Sequence, residues 1–175
     1  MSRRDQIKMS DAEVAQFLAE ERTVTCATNG PRGWPHLMPL WYIVRETPND
    51  ESGPPAPRIW AWTYGTSQKI RNLERDPRAT LQVEAAETYA ELRGVMLECE
   101  VVIHRDIDEV STLGAEILRR WTISDRSVPR GADPPPELPP EALAAVHAQA
   151  RKRVGLEFIE QRRATWDHRK LGGVY

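Results

Sequence analysis

The chain has 175 residues, enough for one domain with a sizeable core and cramped for two. A formal net charge of −2 and a pI near 6.1 argue against a general nucleic-acid binder. A mean hydropathy of −0.57, with no apolar run of about 18 residues, excludes a membrane-crossing helix.

In chain order, Met1 to Lys8 lead into a charged amphipathic helix rather than an apolar h-region, so no signal peptide is expected and the cytoplasm is the expected compartment. Ser10 and Glu13 have capping-box spacing, and Val14, Phe17 and Leu18 form one apolar stripe, which together predict a helix. Strands are predicted over Thr23 to Thr28, Pro35 to Val44, Arg58 to Tyr64, Ala79 to Ala85 and Val95 to His104. Asn29 to Gly33 reads as a hairpin connection, and the polar, proline-rich stretch from Thr47 to Pro57 as a loop. Asp106 and Glu109 open a further helix with Val110, Leu113, Ile117, Leu118 and Trp121 on its buried face. An irregular proline-rich insertion covers 122–140, Glu141 to Arg153 reads as a helix, and a last strand runs from Val154 to Thr165. Cys26 and Cys99 lie in different strand-like runs without metal-ligand or disulfide spacing, which fits two buried thiols in a reducing compartment.

Five or six strands with few crossover helices predict an α+β fold: a mostly antiparallel barrel with peripheral helices, in a single domain over 1–175. The most informative stretch runs from Thr66 to Arg78. Thr66 or Ser67 can cap a short helix that Pro77 ends. Lys69 and Arg71 then occupy the first turn, where the helix dipole disfavours cations. A bound anion, reached by helix amides, hydroxyls and both cations, compensates for this; the other reading is a pair of solvated surface cations.

The segment from Gly33 to Trp41, the motif Thr66-Ser67-x-Lys69-x-Arg71-Asn72-Leu73-x-x-Asp76-Pro77-Arg78 and the tail Thr165 to Gly173 resemble the split β-barrel flavin/deazaflavin oxidoreductases, relatives of pyridoxamine 5′-phosphate oxidase. The tail is similar to that of the branch that uses coenzyme F-420, a 5-deazaflavin. The resemblance runs from about Ser10 to Tyr175 and implies a homodimer with cofactor sites in grooves between subunits. It implies that Thr66, Ser67, Lys69 and Arg71 hold the cofactor phosphate. His36, Leu37, Met38 and Pro39 would run beside the ring, and Trp166, Arg169 and Lys170 of the partner subunit would close the site. The reaction it implies is hydride transfer from the deazaflavin C5 to an unsaturated organic acceptor, with no catalytic dyad and no metal.

Each feature also has a plainer account. Pro39 fits an open strand edge or a bulge. His36 is either a donor to ring or substrate or a half-exposed strand residue. Trp60 and Trp62 share one side of a strand and suit packing better than ring stacking, and the Arg151-Lys152-Arg153 cluster suits a solvated helix terminus. Asp167 and His168 lack a third partner for a triad. The rivals to an F-420 enzyme are an FMN-dependent oxidase or reductase on the same barrel, and a non-catalytic carrier of flavin, deazaflavin or haem. For haem, His36, His104, His147 and His168 are the available ligands.

Overall fold

A computed structural model describes residues 2–47, 56–122 and 137–172. The expected loop between Thr47 and Pro57, most of the proline-rich insertion and Gly173 of the tail fall outside the described residues. Five α-helices and six strands are described: α1 (Arg3–Gln6), α2 (Asp11–Glu20), β1 (Thr23–Asn29), β2 (Pro35–Thr47), β3 (Ala56–Tyr64), α3 (Gln68–Arg75), β4 (Arg78–Ala85), β5 (Arg93–His104), α4 (Ile107–Thr122), α5 (Pro140–Ala150) and β6 (Arg153–Asp167).

The strands close into a barrel in the order β1-β2-β3-β6-β5-β4. Every pairing is antiparallel, and the short β1–β2 and β4–β5 connections allow nothing else for those two pairs. Alternation within the strands builds the core. Val24 and Cys26 of β1, Leu40 and Tyr42 of β2, Ile59 and Ala61 of β3, Leu81 and Val83 of β4, and Leu156 and Phe158 of β6 point inward and pack as one cluster.

Because consecutive strands alternate in direction, the barrel has two distinct ends. The first gathers the last residues of β1, β3 and β5 and the first of β2, β4 and β6. The second gathers the opposite termini. α3 connects β3 to β4 and so covers the first end. α2 covers the second: the Tyr42 hydroxyl donates to the Leu18 and Glu21 carbonyls at 2.8 and 2.9 Å. There Arg120 of α4 donates to the Leu18, Ala19 and Glu21 carbonyls at 2.6 to 3.1 Å, which satisfies the open C-terminus of α2. The Ser10–Glu13 capping box is formed in both directions, at 3.3 and 2.7 Å.

Outside the barrel, α4 lies on β2 and β3. Trp60, Ile43, Leu113 and Ile117 make a second buried cluster there. Trp62 presses against Gly114, where a Cβ would sit 2.5 Å from the Trp62 ring. Asp106 caps α4 by accepting from the Asp108 and Glu109 amides.

The helix expected over Glu141 to Arg153 ends at Ala150 instead. Lys152 turns back to Gln149, the Gly65 amide donates to the Lys152 carbonyl at 3.0 Å, and Arg153 begins β6 opposite Tyr64. A long-range backbone contact therefore overrides the local helix signal. Among the described residues no helix is long and apolar enough to cross a membrane, and no group of three His, Cys, Asp or Glu is placed to hold a metal.

Candidate functional site

The wall of the barrel opens between β2 and β3. β2 pairs with β1 from Pro35 to Trp41, but with β3 only from Tyr42 to Thr47. The β3-facing edge of residues 35–41 therefore lacks a described strand partner. Met38 stands opposite Cys26, on the inward face, yet is 42% exposed. Leu37, Pro39 and Trp41 are exposed too, and one face of Trp41 stacks on Trp121 at 3.7 Å. Pro39, which cannot donate to a ladder, sits on this open stretch. An apolar pocket of about 330 Å³ adjoins it, lined by Trp41, Trp62, Gly114, Ile117, Ala142 and Val146.

α3 stands at the barrel end beside this opening. β3 finishes at Tyr64, the Ser67 amide turns back to the Tyr64 carbonyl, and Ser67 takes the N-cap position in extended conformation. Its side chain does not cap the helix; the hydroxyl is buried and, among the described residues, has no partner. Asp76 in extended conformation ends the helix ahead of Pro77. Asn72 fixes α3 to the barrel by donating to Thr28 at 3.0 Å.

The two first-turn cations do not share one environment, so the reading of a solvated surface pair fails for Lys69. Lys69 is 5% exposed, and its ammonium donates to the Thr63 hydroxyl at 2.8 Å. Among the described residues no carboxylate pairs with it. A buried charge with only a neutral partner is costly. Burial pushes the Lys69 pKa below the ordinary lysine range; Cys26 opposes this, and the nearby charge of Arg153 adds to it. Arg71 is exposed on the same turn, as is Thr66.

Arg153 is the residue the sequence reading missed. It lies on β6 with its guanidinium 4.4 Å from the Trp62 ring and 4.3 Å from the Tyr64 ring, and among the described residues its buried Nε has no partner. It does not belong to a solvated helix terminus. The signal was the period of two: Val154, Leu156 and Phe158 face the core, and the same alternation carried back one residue puts Arg153 on the outer face with Glu157. His36, opposite Thr28 at the start of β2, also has a buried Nδ1 with no partner among the described residues. Among the described residues, one barrel end thus combines buried donors without acceptors, cations without carboxylates, and an open apolar strand edge. Chemically this suits a planar ligand with an anionic group.

The other predicted site residues lie at the opposite end. Trp166 pairs with Gly94 and covers it; a Cβ there would meet the Trp166 ring at 2.4 Å. Arg169 forks onto Asp167 at 2.9 and 2.6 Å, and this pair holds the Asp167 carboxyl below the usual range. Lys170 donates to the Lys8 carbonyl at 2.7 Å and to Glu13 at 2.8 Å. Within one chain, therefore, Trp166, Arg169 and Lys170 are not brought together with Lys69. Of the remaining histidines, His104 bridges Glu109 and Glu157 at 3.0 Å each, His147 meets Ser111, and His168 meets the Tyr89 carbonyl. A larger cavity of about 770 Å³, near α2 and α4, has Arg58, Arg120 and Arg163 on its rim, but all three are already bonded within the chain.

An antiparallel barrel opened along one strand, with a cation-bearing helix at the end of the opening, is a split barrel. The chain belongs to the pyridoxamine 5′-phosphate oxidase family, whose profile matches residues 10–155. The family takes its name from an oxidase. The conserved hypothetical protein Rv2991 from Mycobacterium tuberculosis is similar over 100% of this chain and 95% of its own, at 35% identity and TM-score 0.78. An F-420 reductase is similar over 85% of this chain and 93% of its own (16% identity, TM-score 0.54). The haem storage protein HutZ from Vibrio cholerae is similar over 90% and 93% (14% identity, TM-score 0.57). At those identities the last two speak for the fold alone. No curated protein matches.

Proposed function

We propose that the protein is an F-420-dependent oxidoreductase that works as a homodimer. The observation that carries this reading is the buried Lys69 ammonium, with no described carboxylate, beside the partnerless Ser67 hydroxyl and the open edge of β2. These groups fit a phosphate-bearing planar cofactor: Thr66, Ser67, Lys69 and Arg71 would hold the phosphate, and His36, Leu37, Met38 and Pro39 would lie along the ring. Bound and reduced, a deazaflavin supplies a hydride to an unsaturated organic acceptor. The chain's own part is to bind, orient and exclude water.

A covalent role for the thiols is disfavoured, because burial pushes both Cys26 and Cys99 up to about 12. Such free, buried thiols suit a reducing cytoplasm. The homodimer reading draws support from topology: the tail lies at the barrel end opposite α3, so only a second copy could bring Trp166, Arg169 and Lys170 to the groove beside Lys69.

The test is a fluorescence titration of the purified protein with F-420 and, in parallel, with FMN. Tight, saturable binding of F-420 with weak FMN binding supports the reading. A preference for FMN keeps the phosphate site and replaces the chemistry with that of an FMN enzyme. Binding of neither overturns the enzyme assignment.

A further inference from the structure

We propose that Arg153 is an anion-binding residue of the α3 cradle, acting with Lys69 on the same phosphate ester. This rests on the cradle reading above and adds a residue to it from a different element of the fold.

A guanidinium carries five N–H donors and cannot shed its charge. Among the described residues nothing accepts a hydrogen bond from Arg153 and no carboxylate pairs with it, and its Nε is buried away from water as well. Stacking on Trp62 and Tyr64 fixes the plane of the group but satisfies no N–H. A buried donor left open costs free energy that ring stacking alone does not return.

Position supplies the second argument. Arg153 lies directly opposite Tyr64, the last residue of β3, and the chain from Tyr64 reaches the N-cap Ser67 through one turn. The Gly65 amide is tied to the Lys152 carbonyl, so this turn and the start of β6 are held as one unit. Lys69 feels the charge of Arg153. Lys69 is held by Thr63 on the inner face of β3 and Arg153 stacks on Tyr64 on its outer face, so the two cations flank the end of one strand, and an anion bound over that end is drawn to both. The aromatic contacts hold the guanidinium in place, so the fork is oriented before the ligand binds.

The decisive experiment compares wild type, Arg153→Gln and Arg153→Lys by calorimetric titration with F-420, FMN and inorganic pyrophosphate, at low and high salt. Gln keeps a planar terminus and loses the charge; Lys keeps the charge and loses the fork. The proposal expects Arg153→Gln to weaken whichever cofactor wild type binds by about tenfold or more and to flatten its salt dependence, with Arg153→Lys intermediate. A residue that only packs against Trp62 and Tyr64 would shift thermal stability and leave affinity and its salt slope unchanged, and that result overturns the proposal. If Arg153→Gln does not fold, Arg153→Lys decides: affinity several-fold below wild type supports the role, and equal affinity overturns it. If wild type binds neither cofactor, the functional reading falls, and pyrophosphate decides the role of Arg153. Pyrophosphate binding lost in Arg153→Gln supports it; binding unchanged there, or none by wild type, overturns it.

Discussion

Lys69 and Arg153 at one end of the barrel and Arg169 and Lys170 at the other carry the same charge into opposite circumstances. Arg169 and Lys170 each reach a carboxylate of their own chain, Asp167 and Glu13, and the second pair holds the tail against α2. Lys69 is buried on a hydroxyl, and Arg153 lies against two rings with its Nε buried and, among the described residues, unpartnered. Paired cations explain themselves through the contacts they make, whereas unpaired and buried ones call for a ligand. Each of the four is simply a basic residue in the sequence, and only their partners tell them apart.

The largest effect should come from Lys69→Ala. Loss of a charge-assisted hydrogen bond to a phosphate is worth about 1.5–3 kcal/mol, or roughly 10- to 150-fold in affinity. Fluorescence titration with F-420 measures it directly. Lys170→Ala should weaken binding less, because its ammonium is already shared with Glu13 and the Lys8 carbonyl. Equal losses at the two positions would erase the distinction between the ends, and unaltered binding by Lys69→Ala would remove the phosphate site.

Packing offers a second contrast. A Cβ on Gly94 would meet the Trp166 ring at 2.4 Å and the Val83 carbonyl at 2.8 Å, while one on Gly65 would make an ordinary contact with Val154 at 3.4 Å. Gly94→Ala should therefore cost about 1–3 kcal/mol in urea unfolding, and Gly65→Ala about 0.5 kcal/mol or less. A tolerated Gly94→Ala would show that the tail is free to lift from the barrel.

The ends should also answer pH differently. Lys170, with the Ser10 amide and hydroxyl, lowers Glu13 from 4.5 to about 2. Its folded pKa lies below the unfolded one, so its contribution is present above 4.5 and is lost as pH falls towards about 2. Lys69 is also lowered, from 10.5, but as a cation its burial penalises the charged form. The unfolded chain keeps a proton that the folded chain has released, so stability rises with pH between the lowered value and 10.5. Lys69→Met should abolish the alkaline rise and leave the acid loss intact, and Glu13→Gln should do the reverse. Urea midpoints across pH test both.

Much of this fold was legible in the sequence. The capping box at Ser10 and Glu13, the alternation from Val95 to Val101 and the cap of α4 at Asp106 are local signals, and the structure keeps them. The helix carrying Lys69 was legible for the same reason. What escaped was set by distant contacts. Nothing near Arg153 announces the bond from Gly65 that ends α5 early, and nothing near Arg120 announces that it serves the carbonyls of α2. That Ser67 occupies the N-cap without capping was equally hidden, because a sequence shows the position of a hydroxyl and not its direction.

The smallest effect probes the second end at the β4–β5 connection. Ala86 has φ of 114°, in the region that favours glycine, and its side chain is exposed. Holding a side chain there costs on the order of 1 kcal/mol. Part of the relief in Ala86→Gly is returned as greater freedom of the unfolded chain. The net gain should be a fraction of about 1 kcal/mol, seen as a rise of one or two degrees in Tm. The gain should be the same with and without F-420 at Lys69, since the two lie at opposite ends of one barrel. If the substitution instead changes cofactor affinity, the β4–β5 connection takes part in the groove, and the second end is more than a scaffold.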